Sequence, residues 1–193
     1  MHARGCGTVC LQFGGLTSPQ HCLQGWPMLH DLPSFLSYWA NARARTVRVL
    51  EALEPEDLDW APALGSFTFG DLLRHLASIE RYMWAECVAG RPSSYPGHGR
   101  ELAPDLVSLR AFMDQCHGES LAIFASLTEA DLLASCVNGS GARMVVWKCL
   151  RAMAEHEAHH RGQLYLMATL RGRQVAPLFG LTEEELKARA SAP

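Results

Sequence analysis

The sequence predicts an all-α protein, a four-helix bundle with short extra helices. Four long segments place apolar residues three and four positions apart, the period of a helix with one buried face. These segments are residues 34–53, 68–89, 104–127 and 144–170. No convincing strand accompanies them, apart from a short candidate at residues 144–147. Four long amphipathic helices with a long connection in the middle are typical of a bundle.

Residues at the ends of these segments favour helix starts and stops. Asp31 can cap the first helix, and Pro33 suits its first turn. Gly172 follows the last periodic residues of the fourth helix and is expected to end it. Two shorter segments, residues 128–134 and 182–190, begin with a threonine at the cap position and predict short extra helices.

The length of 193 residues suits one domain, which we place at residues 28–193. Residues 1–27 differ from the rest, because recurring glycine and proline interrupt any periodic pattern there. Two interpretations of this stretch stay open: a tail without function, or translated sequence upstream of a true start at Met28. We favour the tail, because disorder concentrates at chain ends.

Charge and cysteine content exclude several classes of function. The net charge of −3 leaves no basic excess that would hold a nucleic acid, so no nucleic-acid partner is expected. The sequence has no run of 18 apolar residues, so no membrane span is expected. The seven cysteines are odd in number and irregularly spaced, without a C-x-x-C pair. We therefore expect free, mostly buried thiols and a reducing, cytoplasmic compartment.

Three histidines form the strongest candidate site. His156 and His160 are four residues apart in a predicted helix, so both rings lie on one face, one turn apart. His75 lies on the apolar stripe of another predicted helix, where a buried imidazole needs a polar partner. Each position also has a structural interpretation, as a histidine satisfied within the core or at its edge. Together with the family resemblance described below, they predict a metal site.

The same segment matches the H-E-x-x-H motif of zinc proteases, in which the glutamate is the general base. No histidine follows His160, which excludes the longer form of this motif. Glu183, Glu184 or Glu185 could supply a late carboxylate ligand, but acidic residues in a first helical turn typically stabilise the helix dipole. The chain also lacks strands that would hold an extended peptide, so we set proteolysis aside.

Two neighbours are candidates for supporting the ligands. Asp71 precedes His75 by one turn and is able to accept its second ring N–H, which would fix the tautomer. Stabilisation of the helix start is an equally good interpretation of Asp71. His159 aligns less well with the apolar stripe than His160 does, so we place it at the rim of the site.

Arg161 and Gly162 follow the last histidine directly. Arg161 is expected to bridge its helix to a neighbouring carboxylate, and structural roles are favoured for it and for Gln163. A glycine inside a helix costs about 1 kcal/mol relative to alanine, so Gly162 is expected to allow close helix approach or ligand access.

These motifs carry a resemblance to a known family. The segment HEAHHRGQL at residues 156–164 resembles the H-x-x-x-H-R-G-Q signature of the DinB/YfiT-like superfamily. The segment FGDLLRHLASIE at residues 69–80 resembles that family's second-helix motif, which carries its first metal histidine, and PLFGLT at residues 177–182 resembles the segment after its fourth helix. The resemblance covers roughly residues 32–182, and the residues before Met28 lie outside the family pattern.

The resemblance implies a four-helix bundle of DinB/YfiT type with a divalent metal, zinc or nickel. The three ligands would be His75, His156 and His160. It also implies a homodimer. Some members are transferases or isomerases that use a low-molecular-weight thiol such as bacillithiol, mycothiol or glutathione, and others are regarded as metal-dependent hydrolases without a known substrate.

We therefore expect a metal-dependent hydrolase or thiol S-transferase acting on a small electrophilic molecule. Its metal site would activate water or a low-molecular-weight thiol. The alternative is a non-catalytic metal-binding protein or a stress-response interaction protein. Structural zinc sites usually have four protein ligands, so a site with three favours catalysis.

Overall fold

The computed structural model describes residues 31–191, in which four long helical stretches form a bundle with a small hairpin beside it. In chain order, the elements are α1 (Leu32–Leu50), α2 (Phe69–Ile79), α3 (Ala85–Val88), α4 (Leu106–Ala125), α5 (Glu129–Leu133), β1 (Ser135–Val137), β2 (Arg143–Val145), α6 (Val146–Leu170) and α7 (Glu183–Ala190). A π-helical turn at Glu80–Trp84 joins α2 to α3, so the two make one continuous stretch. Short 3-10 turns lie at Pro55–Asp57 and Arg100–Leu102.

The four long stretches pack in a ring. α1 contacts α4 and α6, and α2 contacts the same two helices on the opposite side. Buried apolar side chains fill the interior, including Trp39, Leu73, Phe124 and Leu164. Complete burial of one such side chain contributes about 1.5–3 kcal/mol to folding. This packing holds α2 and α6 side by side, and the candidate metal ligands lie on these two helices.

A buried polar network also ties the helices together, with Glu80 of the π-helical turn at its centre. The Trp39 indole N–H donates to Glu80 Oε1 over 2.8 Å, His117 Nδ1 lies 2.9 Å from the same oxygen, and Arg43 donates to Oε2. Burial alone would raise the pKa of Glu80, but Arg43 and His117 outweigh it and lower that pKa. The contacts join α1 and α4 to the π-helical turn, and removing one partner of such a buried pair is costly.

The predicted all-α bundle is confirmed, and most differences lie at the ends of elements. The first helix covers Leu32–Leu50 and ends before the predicted residue 53. Two three-residue strands form an antiparallel hairpin, in which Cys136 pairs with Met144. Only the second strand had a sequence signal, because three residues are too few to show an alternating pattern.

Capping residues set several helix starts. Thr68, Thr128 and Thr182 each accept a hydrogen bond from the backbone N–H three residues later, and the residue there reaches back to complete a capping box. Asp31 occupies the cap position of α1, but its side chain makes no capping bond.

Four buried cysteines in the described part of the chain form no disulfide: Cys87, Cys116, Cys136 and Cys149. Within residues 31–191, no helix combines the length and apolar character that a bilayer crossing needs. The predicted tail at residues 1–27 lies outside the described residues.

Candidate metal centre

Three imidazole rings converge at the seam between α2 and α6. His156 and His160 lie one turn apart on α6, and His75 faces them from α2. His156 Nε2 is 3.2 Å from His75 Nε2 and 3.1 Å from His160 Nε2. Within residues 31–191, no other group of three or more His, Cys, Asp or Glu residues brings its donor atoms within 4.8 Å of one another.

These separations fit a tetrahedral metal ion. Bonds of about 2.0–2.1 Å between zinc and imidazole, at a tetrahedral angle, place neighbouring nitrogens about 3.3 Å apart. The observed distances of 3.1 and 3.2 Å are close to that value. Imidazole donors suit zinc and nickel, and three protein ligands leave a coordination position open.

Hydrogen-bond partners on the outer ring nitrogens orient two of the rings. His160 Nδ1 lies 2.6 Å from Gln163 Oε1, and an amide oxygen can only accept, so the ring proton resides on Nδ1. The Nε2 lone pair of His160 is thereby free for a metal ion. His75 Nδ1 lies 2.7 Å from the Tyr95 hydroxyl, whose oxygen can likewise accept the ring N–H.

Burial keeps all three rings neutral at physiological pH. Burial, together with the nearby His160 and His98 rings, lowers the pKa of His75 to about 4. Burial and the neighbouring His160 and His75 rings lower the pKa of His156 to about 3. The pKa of His160 is also lowered, mainly by burial. Neutral imidazole is the form that binds metal ions, so the site needs no deprotonation step near pH 7.

Aromatic side chains pack beside the histidine cluster. The Phe67 ring stacks on His75 with centroids 6.3 Å apart, and it meets His98 edge-on at 4.9 Å. Trp84, from the π-helical turn, approaches His156 with centroids 6.1 Å apart. These rings border the imidazoles on two sides.

The glutamate of the H-E-x-x-H motif points away from the cluster. Glu157 is buried, accepts a hydrogen bond from Thr46 of α1, and lies 3.4 Å from Arg43. Neighbouring residues of a helix are about 100° apart around its axis, so His156 faces α2 while Glu157 faces α1. Its carboxylate is therefore part of the bundle interior. The acidic residues of α7 are exposed and do not belong to the cluster.

Asp71 stabilises the start of its helix and does not contact His75. Its carboxylate accepts from the Thr68 backbone N–H over 3.1 Å and from Arg74 over 3.0 Å. The hydrogen-bond partner of His75 Nδ1 is the Tyr95 hydroxyl instead. The expectation that Asp71 orients His75 is therefore wrong, because the capping box already engages its carboxylate.

Two of the three residues described next to His160, Arg161 and Gly162, differ from expectation. His159 is exposed and lies beside His160, with ring centroids 4.9 Å apart, as a rim residue would. Arg161 does not bridge to a carboxylate; it is buried and donates to the Ala42 carbonyl over 3.2 Å. A Cβ added at Gly162 would meet nothing within 4 Å, so no close helix approach explains this glycine.

Sequence reasoning missed Tyr95 and Phe67, because both lie in loops and no spacing rule relates a loop residue to a helical ligand. Gln163 did carry a signal. It follows His160 by three residues, which places the two side chains on the same face of α6.

Comparisons with known proteins agree with this architecture. The DinB superfamily matches residues 38–164, about two thirds of the chain. A DinB-like protein from Bacillus cereus has a similar structure, with a TM-score of 0.66, 19% identity, and coverage of 78% of this chain and 99% of that one. A DinB-like protein from Bacillus subtilis also has a similar structure, with a TM-score of 0.60, 19% identity, and coverage of 77% of this chain and 98% of that one. No curated protein matches the chain.

Proposed function

Because the chain belongs to the DinB superfamily, we propose that it binds a divalent metal ion, zinc or nickel, through His75, His156 and His160. One observation carries this proposal: His156 Nε2 lies 3.2 Å from His75 Nε2 and 3.1 Å from His160 Nε2, close to the separation between two ligand nitrogens of a tetrahedral ion. The orienting contacts from Gln163 and Tyr95 support it, since ligating histidines typically donate their other ring N–H to such a partner.

We further propose that the protein is an enzyme with an open metal position. A divalent ion with three imidazole ligands lowers the pKa of a bound water or thiol, which makes a nucleophile near pH 7. The chain itself would hold the ligands in place and limit water through Phe67 and Trp84. The substrate would be a small electrophilic molecule, attacked by water or by a low-molecular-weight thiol. From the family we also propose that the protein is a homodimer and that it is located in the cytoplasm. Light scattering of the purified protein would test the dimer.

Metal content tests the site directly. Protein purified without a histidine tag is analysed for zinc and nickel beside the variants His160→Ala and His159→Ala. We expect one ion per chain in the unaltered protein and in His159→Ala, and loss of the ion in His160→Ala. Equal metal in all three would overturn the assignment.

Turnover separates an enzyme from a metal-binding protein. A panel of low-molecular-weight thiols and electrophiles is assayed with the metal-loaded protein and again after chelation. Turnover that needs the metal supports the enzyme. Its absence across the panel, with the metal still bound, would favour the non-catalytic alternative.

A further inference from the structure

A mostly apolar groove of about 360 Å³ lies between α6 and the segment formed by the loop before α2 and the start of that helix. Its walls include Phe67, Leu72, Gln163, Leu166, Met167 and Leu170. No charged side chain lines it within the described part of the chain. The volume lies within the range of about 300–1,000 Å³ typical of small-molecule sites.

The groove continues the helix faces that carry the ligands. Gln163, Met167 and Leu170 follow His160 by three, seven and ten residues, spacings that keep them on one face of α6. On α2, Leu72 precedes His75 by three residues and lies on the same face. The same seam therefore holds the histidines at one point and the apolar groove farther along.

Two side chains belong both to the groove and to the histidine cluster. Gln163 lines the groove and lies 2.6 Å from His160 Nδ1. Phe67 lines it from the opposite loop and stacks on the His75 ring, with centroids 6.3 Å apart. The groove thus begins at the residues that orient and cover the ligands.

Exposed leucines on the groove wall also favour an apolar ligand. Leu166 and Leu170 are 60% and 62% exposed, although both lie on a helix that buries much of its apolar surface elsewhere. An apolar group bound between them and Phe67 would remove their side chains from water, which is favourable in proportion to the area covered.

A larger groove elsewhere does not compete for this role. It has a volume of about 930 Å³ between α1 and α6 and includes Arg151 and Glu155. Neither Gln163 nor Phe67, the two groove residues that contact the histidines, lines it.

Building on the proposed metal site, we propose that the substrate joins a metal-binding polar head to an uncharged apolar tail, and that this groove binds the tail. The tail lies along Met167 and Leu170, and the head lies beside Gln163 at the histidines. The groove then selects among electrophiles by the size and polarity of the part that does not react.

A series of alkylhydroxamates tests the proposal, because each member carries the same chelating head with a longer tail. Affinities of acetohydroxamate, butanohydroxamate and hexanohydroxamate are measured by calorimetry on zinc-loaded protein whose metal content has been verified. Burial of a methylene contributes enough to tighten Kd about three- to fourfold, so affinity should rise by that factor per methylene until the groove is filled.

Variants of exposed residues distinguish binding of the alkyl tail from binding of the chelating head. Leu170→Gln and Leu166→Gln should reduce the gain from the longer tail and leave the Kd of acetohydroxamate unchanged. Leu133→Gln is the matched control, since Leu133 is 63% exposed and does not line the groove.

The outcomes are distinct. A Kd that does not change with tail length on zinc-loaded protein would overturn the groove assignment and leave the metal site standing. A dependence on tail length that is the same in Leu170→Gln, Leu166→Gln and Leu133→Gln would also overturn it. Failure of the protein to bind zinc at all would overturn the proposed function and this inference with it.

Discussion

Gln163 Oε1 lies 2.6 Å from His160 Nδ1, three residues away on the same helix. This contact holds the ring proton of His160 on the outer nitrogen and turns the Nε2 lone pair toward His156 and His75. The glutamine therefore presets the protonation and the orientation of one ligand before any ion binds.

Replacement of Gln163 should weaken metal binding without unfolding the protein. Loss of an orienting partner typically lowers metal affinity about 10- to 100-fold. We expect Gln163→Leu to raise the Kd for zinc by that factor, as measured by competition with a chromophoric chelator. Gln115→Leu, which alters an exposed glutamine of α4, is the control and should change nothing. Equal affinities in the two variants would show that Gln163 does not orient the ligand.

Tyr95 should act on His75 in the same way through its hydroxyl, which lies 2.7 Å from Nδ1. Tyr95→Phe keeps the ring and removes only the oxygen, so we expect a loss of about tenfold in zinc affinity with the fold intact. Tyr165→Phe removes a hydroxyl from another face of the bundle and serves as the control. An unchanged zinc Kd in Tyr95→Phe would argue that His75 is oriented by packing alone.

Glu157 should matter for stability and leave metal content unchanged. Its carboxylate is buried against Thr46 and lies 3.4 Å from Arg43, so Glu157→Gln removes a charge from a buried pair. We expect the free energy of unfolding in urea to fall by about 1.5–3 kcal/mol, since hydrogen bonds to charged groups contribute about that much. Zinc stoichiometry should stay at one ion per chain. Loss of metal at unchanged stability would return Glu157 to the site, as a protease motif requires.

Replacement of Gly162 should increase stability. A Cβ there meets nothing within 4 Å, and the same is true of Gly118 in α4. Alanine at either position should raise the free energy of unfolding by about 0.5–1 kcal/mol, because glycine loses more backbone entropy in a helix. Chemical denaturation of both variants measures this. Stabilisation by Gly118→Ala but not by Gly162→Ala would mean that a ligand or partner approaches Gly162.

Asp57 should make stability depend on acid pH. Arg171 and Arg173 donate to its two oxygens over 2.9 and 2.6 Å. Burial alone would raise the pKa of Asp57, but the bonds from Arg173, the Glu54 backbone and Arg171 outweigh it and hold the pKa below 3.8. A carboxyl group whose folded pKa is lowered stabilises the fold fully above its unfolded pKa, and this contribution is lost as pH falls through the folded pKa.

The free energy of unfolding should therefore decline below about pH 3.8, the ordinary pKa of the carboxyl group. Asp57→Asn should be less stable by about 2 kcal/mol at pH 7, and the difference should shrink as the pH is lowered. Asp59→Asn, which alters an exposed ion pair, should follow the unaltered protein. A constant difference between Asp57→Asn and the unaltered protein down to pH 3 would contradict the assignment.

The bundle could be predicted because it depends on a strong, repeated signal. Each long helix shows the three- and four-residue spacing over four or more turns, and threonines mark several starts. The hairpin at Ser135–Val137 and Arg143–Val145 was missed in part, since strands of three residues show no period. The π-helical turn at Glu80–Trp84 was also missed, because no residue pattern in the sequence marks a π-helical turn.

The ligand positions could be predicted for a similar reason. The spacing from His156 to His160 is set by helix geometry alone. The surroundings of the ligands could not be predicted, because Tyr95 and Phe67 reach His75 from loops whose path depends on the whole fold. Asp71 has two chemically sound roles in its sequence context, and only the structure shows that capping uses its carboxylate.

The environment of the bound ion tests the central claim most directly. X-ray absorption at the zinc edge of zinc-loaded, tag-free protein should show three imidazole nitrogens at about 2.0–2.1 Å and oxygen in the remaining position. The imidazole signal should be lost in His160→Ala and retained in His159→Ala. Sulfur scattering, or the same spectrum from His160→Ala and the unaltered protein, would contradict a site built from His75, His156 and His160.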